Sequence, residues 1–151
     1  MSVRVTVTGD REVTATLRRA SLRARDYSRP LDKFGDALAA QTAEAFATDG
    51  ASLGEPWKPL EPQYAGWKLK HGPDGGLLRD TGRLQESVTR RPFPIDSVGQ
   101  RSAVFGTADH VARFLQHGTE DVPARPFFVV TPTLETLMRR LLADHVAGPK
   151  E

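Results

Sequence analysis

The chain contains no cysteine. That absence removes disulfides, thiolate nucleophiles and every thiolate metal site together. No run of about 18 apolar residues occurs, so no segment reads as a membrane span. Histidine is scarce: those at 71, 110, 117 and 145 never stand at the i, i+4 spacing that sets two imidazoles on one helical face. No metal site is expected from them. No Gly-x-Ser-x-Gly elbow is present, and Gly72-Pro73-Asp74-Gly75-Gly76 lacks the Lys-Ser/Thr ending of a phosphate-binding loop. The 19 acidic residues show no spacing that singles out a general acid–base pair. No catalytic residue and no cofactor is assigned. Charge of one sign is lacking too, because 21 Lys+Arg against 19 Asp+Glu leave only +2. That balance gives no bulk argument for nucleic acid or a lipid surface as partner. The opening Met-Ser-Val-Arg-Val-Thr-Val alternates and has no apolar signal stretch, so secretion by that route is not expected.

What is present suits one soluble domain over residues 1–151, 38% apolar and 26% charged, and long enough for a core. Gly and Pro are bunched. Ten of the 24 fall between Gly50 and Gly76. Pro removes a donor and Gly costs conformational entropy, so residues 50–76 are expected to form an extended, irregular loop that a partner has to order. Val3, Val5 and Val7 alternate with polar residues as a half-buried strand. Val13, Leu17, Ala20 and Ala24 then keep helical spacing. Ser28 is expected to cap a second helix with Pro30 in its first turn, buried through Leu31, Phe34, Leu38, Ala45 and Phe46 and stopped at Gly50.

Beyond the bunched segment, Asp80 or Thr81 is placed to cap a short helix carrying Leu84 toward Ser87. Strand-like runs follow at 88–95 and 101–107, joined by Asp96-Ser97-Val98-Gly99. Val111, Phe114 and Leu115 predict a helix over 110–117 closed by Gly118. Thr131 as cap and Pro132 at the first helical position open a final helix, striped by Leu134, Leu137, Met138, Leu141, Leu142 and Val146. Helices at both ends around a small antiparallel sheet make an α+β domain.

Two features point outward. Five arginines (18, 19, 23, 25, 29) against Asp26 form the densest charge feature. A solvated helix face is the plain reading; a phosphate or an acidic neighbouring subunit is the functional one. Trp57, Tyr64 and Trp67 sit inside the Gly/Pro segment, where large aromatics mark a partner contact or a fold-back onto the chain's own domain. Arg18, Arg19, Arg23, Arg25, Trp57, Tyr64 and Trp67 are accordingly the candidate subunit-contact residues. Arg125 precedes Pro126 and is thereby pushed away from helix, so its side chain should project reproducibly. It is expected to pair with a carboxylate or cap a carbonyl end, fixing the approach to the C-terminal helix.

Four motifs in order resemble the tail-completion, or virion-morphogenesis, proteins of long-tailed bacteriophages. A helix ending in Phe46 precedes Gly54-Glu55-Pro56-Trp57-Lys58-Pro59-Leu60. Thr81-Gly82-Arg83-Leu84-Gln85-Glu86-Ser87 follows. Then come Gly106-Thr107, Ala112 and Gln116 with Gly118, and finally Pro123-Ala124-Arg125-Pro126-Phe127. Val111 and Leu115 depart from the family's usual Tyr and His. The resemblance marks Thr81, Gly82, Leu84, Arg125, Pro126 and Phe127 as structural-motif residues. It implies a non-enzymatic virion protein of the tail end or the head–tail neck. It further implies a homo-oligomeric ring, six- or twelve-fold with six expected, around the DNA channel. The ring's expected neighbours are head–tail connector or tail tube and terminator proteins, with no sequence-specific DNA binding and no membrane. The rival reading is a small nucleic-acid-binding module using the arginine-rich helix.

Overall fold

The computed structural model describes residues 9–72 and 76–149, so the strand expected at Val3, Val5 and Val7 lies outside the described residues. Among the described residues there are six α-helices and one β-hairpin, an α+β arrangement. The spine is α2, Ser28–Ala47, which buries Leu31, Leu38, Ala45 and Phe46. Ser28 is not its cap, as expected from sequence, but its first residue. Tyr27 stands at the cap position without a side-chain cap bond, and Asp26 Oδ1, two residues before Ser28, accepts the Ser28 N–H at 2.9 Å. The chain leaves the helix through Gly50, whose φ of 87° suits glycine. A Cβ there would lie 2.5 Å from Trp57, so the side-chain gap is also required.

Before the spine comes α1, Asp10–Arg23, and after it the last helix, α6, Pro132–Ala147. The Thr131 hydroxyl accepts from the Leu134 N–H and Pro132 opens α6, as the sequence predicts. Thr131 bonds Gln41 late in α2, and His145 reaches the Asp26 carbonyl before α2 begins. The two helices therefore run antiparallel.

Within the span expected to be an irregular loop, 50–76, the described residues 50–72 are largely ordered otherwise. A 3₁₀ turn spans Ala51–Leu53, and a ten-residue helix, α3, spans Pro62–His71. Only Gly66 of the clustered glycines lies inside α3. Pro62 takes its first position, where a missing N–H costs nothing.

The next helix, α4, covers Arg83–Thr89 and buries Leu84 and Val88 one turn apart. Neither Asp80 nor Thr81 stands at its cap. Gly82 does, at φ 77°, and the Thr81 hydroxyl only approaches the Arg83 N–H at 3.5 Å. The strand expected over 88–95 is thus helix and then an irregular turn through the cis Arg91–Pro92 peptide. Strand β1, Ile95–Val98, instead uses the residues read as its connection, and it pairs antiparallel with β2, Ala103–Gly106. Helix α5, His110–His117, has the bounds the sequence predicts, with Asp109 accepting from Val111 N–H and Gly118 ending it. The main core is Ala45, Phe46, Trp57, Leu84, Val88, Ala112 and Phe127, gathered from α2, α4, α5 and two loops.

Candidate functional site

Each motif of the sequence supplies a piece of that core. Phe46 is fully buried, set edge-on to Trp57 with ring centroids 5.4 Å apart and tilted against Phe127 at 5.9 Å. Leu84, Val88 and Ala112 close the same cluster. Trp57 is therefore no exposed contact residue. It is buried, its indole N–H donates to the Pro126 carbonyl at 2.7 Å, and its backbone N–H donates to Asp49 O at 2.7 Å. An indole has enough apolar area to anchor a loop onto its own domain, provided its one donor is satisfied.

The segment after α5 answers that loop from the other side. Arg125 is 5% exposed, and among the described residues it forms no ion pair with a carboxylate. Its Nε donates to the Lys58 carbonyl at 2.8 Å and its Nη2 to the Pro59 carbonyl at 3.1 Å. Burial alone pushes its guanidinium down from the usual arginine range. The expectation that Arg125 caps carbonyls holds; that it fixes the approach to α6 does not, because it ties the 54–60 and 123–127 segments together. Pro126 contributes its carbonyl to Trp57, and Phe127 is buried. Gln116 completes the knot. Its Oε1 accepts the N–H groups of Phe127 and Phe128 at 3.1 and 3.2 Å, and its Nε2 donates to the Phe128 carbonyl at 3.1 Å. Ser87 and Thr107 join hydroxyls at 2.8 Å, linking α4 to the residues after β2.

A second lock was invisible to sequence reading. Arg91 meets Asp96 in a two-bond fork, Nε to Oδ2 at 2.9 Å and Nη2 to Oδ1 at 2.8 Å. Its Nη1 also reaches the Asp32 carbonyl at 2.7 Å and Asp36 Oδ1 at 3.0 Å, while the guanidinium lies over Phe105 at 5.2 Å. These bonds raise the arginine's pKa and, led by the Arg91 hydrogen bond, hold the Asp96 carboxyl below the usual carboxylate range. Gly35 makes room, since a Cβ there would come within 2.8 Å of Phe105 and 2.9 Å of Arg91. The five-residue separation of Arg91 and Asp96 straddles a turn, and no periodicity announces it.

The remaining candidates divide by exposure. Tyr64 and Trp67 are 50% and 55% exposed and stack on the outer side of α3, followed by His71, with centroids 5.9 and 5.1 Å apart. Arg18, Arg19 and Arg25 are exposed as well. Arg23 differs from them: its Nη1 donates to Val146 O at 3.3 Å and Ala147 O at 3.0 Å, at the carbonyl end of α6. A cation there meets the negative end of the helix dipole. The structure thus separates the aromatic pair on α3 from the arginines on α1.

Between α3, α4 and α5 lies a cleft of about 490 Å³, lined by Tyr64, Lys68, Asp80, Arg83, His110 and Arg125 among others. The two buried cations are already engaged, Lys68 by the Gly76 carbonyl at 2.7 Å and Arg125 as described. Asp109 caps α5, while the neighbouring His110 ring is exposed and 3.8 Å from that carboxylate. Among the described residues, no group of three His, Cys, Asp or Glu side chains could hold a metal ion. Nor is any described helix long and apolar enough to cross a membrane.

No curated protein and no solved structure matches the chain. A family model does, and it spans the whole described body from the start of α1 to the end of α6. By that match over residues 8–147, the chain belongs to the phage virion morphogenesis family.

Proposed function

We propose that the protein is a structural component of a tailed-phage virion that completes the tail or joins it to the head. In this reading it assembles into a homo-oligomeric, sixfold ring around the channel through which DNA passes. Connector, tube or terminator proteins lie on either side of the ring. One observation carries the reading beyond family membership. The motif residues go into internal packing and loop-to-loop hydrogen bonds, not into a group of reacting side chains, while α1 and α3 keep large apolar residues exposed. A protein whose signature preserves shape is suited to assembly, and a ring needs two different surfaces per subunit.

Light scattering coupled to size exclusion, with negative-stain images, tests the reading. A closed ring of one size, and tails that fail to mature when the gene is deleted, are the expected results. A strict monomer at tens of micromolar would reject it. A monomer that binds duplex DNA with an affinity falling steeply with salt would favour the nucleic-acid module instead.

A further inference from the structure

Helix α1 has fourteen residues, none of them buried, although Val13, Leu17 and Ala20 form an apolar stripe. Val13 and Leu17 are 58% and 65% exposed. Among the described residues, the Glu12, Thr16, Arg19 and Arg23 side of the helix lies along the end of α6, where Arg23 donates to the last carbonyls, and the Val13–Leu17 side is left outward. A lone helix of this length is marginal in water and usually owes its stability to a covered apolar face. The Tyr64–Trp67 stack on α3, with Leu69 beside it, is another uncovered face of the same chain; Val104, Phe114 and Val130 are exposed on other parts of it.

Charge says which copy covers which. α2 is about 30 Å long at 1.5 Å per residue, and the two ends of the domain differ in sign. Arg18, Arg19, Arg25, Arg29 and Lys33 are exposed around its N-terminal end and outnumber the exposed Asp26 and Asp32 there. Asp49, Glu55, Glu61, Glu120 and Asp121 are exposed on the loops at the opposite end, with Lys58 as the exposed cation among them. Those loops are held together: Trp57 N–H meets Asp49 O, Arg125 meets Lys58 O, and Thr119 and Val122 close a turn. Glu61 is the cap residue of α3, one turn from Tyr64. A two-fold dimer through α1 would set arginine against arginine, whereas a head-to-tail contact sets it against carboxylate and leaves one copy of each surface free.

We infer that α1 of one subunit docks through Val13 and Leu17 on the Tyr64–Trp67 face of the next copy, its arginines facing that copy's acidic loops. The inference rests on the proposed ring and names the contact that builds it.

The chain has no cysteine, so single-cysteine variants report without background. L17C and W67C are treated with a short bismaleimide, each alone and then mixed. A covalent dimer in the mixture and none in either variant alone is expected. A dimer of L17C alone, or an assembled ring with no adduct in the mixture, overturns the contact and leaves the ring reading standing. Failure of the wild-type chain to assemble sinks both. In parallel, R18E/R19E should raise the half-assembly concentration about tenfold or more, and adding E61K and E120K to the same chain should recover most of it. An unchanged assembly concentration in R18E/R19E, with unchanged circular dichroism, also overturns the contact.

Discussion

Replacing Arg125 tests the idea that two distant motifs are held by one buried guanidinium. The side chain makes two bonds to carbonyls, at 2.8 and 3.1 Å, and is 5% exposed. Arg125→Ala leaves the Lys58 and Pro59 carbonyls without their donor. A hydrogen bond from a charged group contributes about 1.5 kcal/mol net, so losing two should cost about 3 kcal/mol. For a domain of this size that corresponds to a melting point lower by about 6–12 °C. Arg125→Lys keeps one donor head and should lose about half as much, since an ammonium cannot span both carbonyls as the planar fork does. Arg125→Met keeps the apolar stem and also removes the cost of burying a charge, so it should fall between the two. Urea melts followed by tryptophan fluorescence read this well, because Trp57 is buried beside the lock while Trp67 is exposed. The backbone bond from Arg125 N–H to Leu115 O is unchanged in all three variants, so the comparison isolates the side chain. Arg125→Ala within about 0.5 kcal/mol of wild type would refute the reasoning.

Trp57→Ala should cost about 3–5 kcal/mol, while Trp67→Ala should leave the urea midpoint unchanged and weaken only self-association; equal effects on folding would contradict the buried and exposed assignments. Gly35→Ala should cost about 1–3 kcal/mol by pushing Phe105 and Arg91 apart, and its methyl proton signals would show the displaced ring. The lowered Asp96 pKa makes this carboxylate stabilising above its unfolded value near 3.9, a contribution lost as pH falls through the lower folded value. Asp96→Asn should therefore flatten the acid limb of the stability–pH curve below about pH 4, and an unaltered limb would remove Asp96 from the account.

Helix α5 and the start of α6 were legible to the residue because each carries its own punctuation, Asp109 and Gly118 for the first and Thr131-Pro132 for the second. Counting Gly and Pro failed at α3 because position decides their effect. Pro62 and Gly72 flank that helix and mark its ends, and only Gly66 interrupts it. The hairpin was shifted because Asp96 and Ser97 look like turn residues, while of the strand-like run at 88–95, which Pro92 and Pro94 already limit to an edge strand, only Ile95 is paired. Asp96 is placed in a strand by Arg91, a contact that no alternation of apolar residues encodes. The motif residues were recognisable as a set before their purpose was. That Trp57, Arg125 and Gln116 serve one another becomes visible only when segments nearly 70 positions apart are side by side.

The stretch from Arg125 to Thr131 has no strand partner, yet its backbone is gripped as if it had. Gln116 from α5 holds Phe127 and Phe128, and Gln41 from α2 donates to the Val129 carbonyl at 2.7 Å and receives the Thr131 hydroxyl. Two amide side chains thus act as rungs of an absent ladder. Such rungs are fixed in number and spacing, unlike a sheet edge along which a strand can slide to a new register. Lengthening this stretch by a single residue would satisfy one glutamine only by stranding the other. Its length is therefore under as tight a constraint as its side chains.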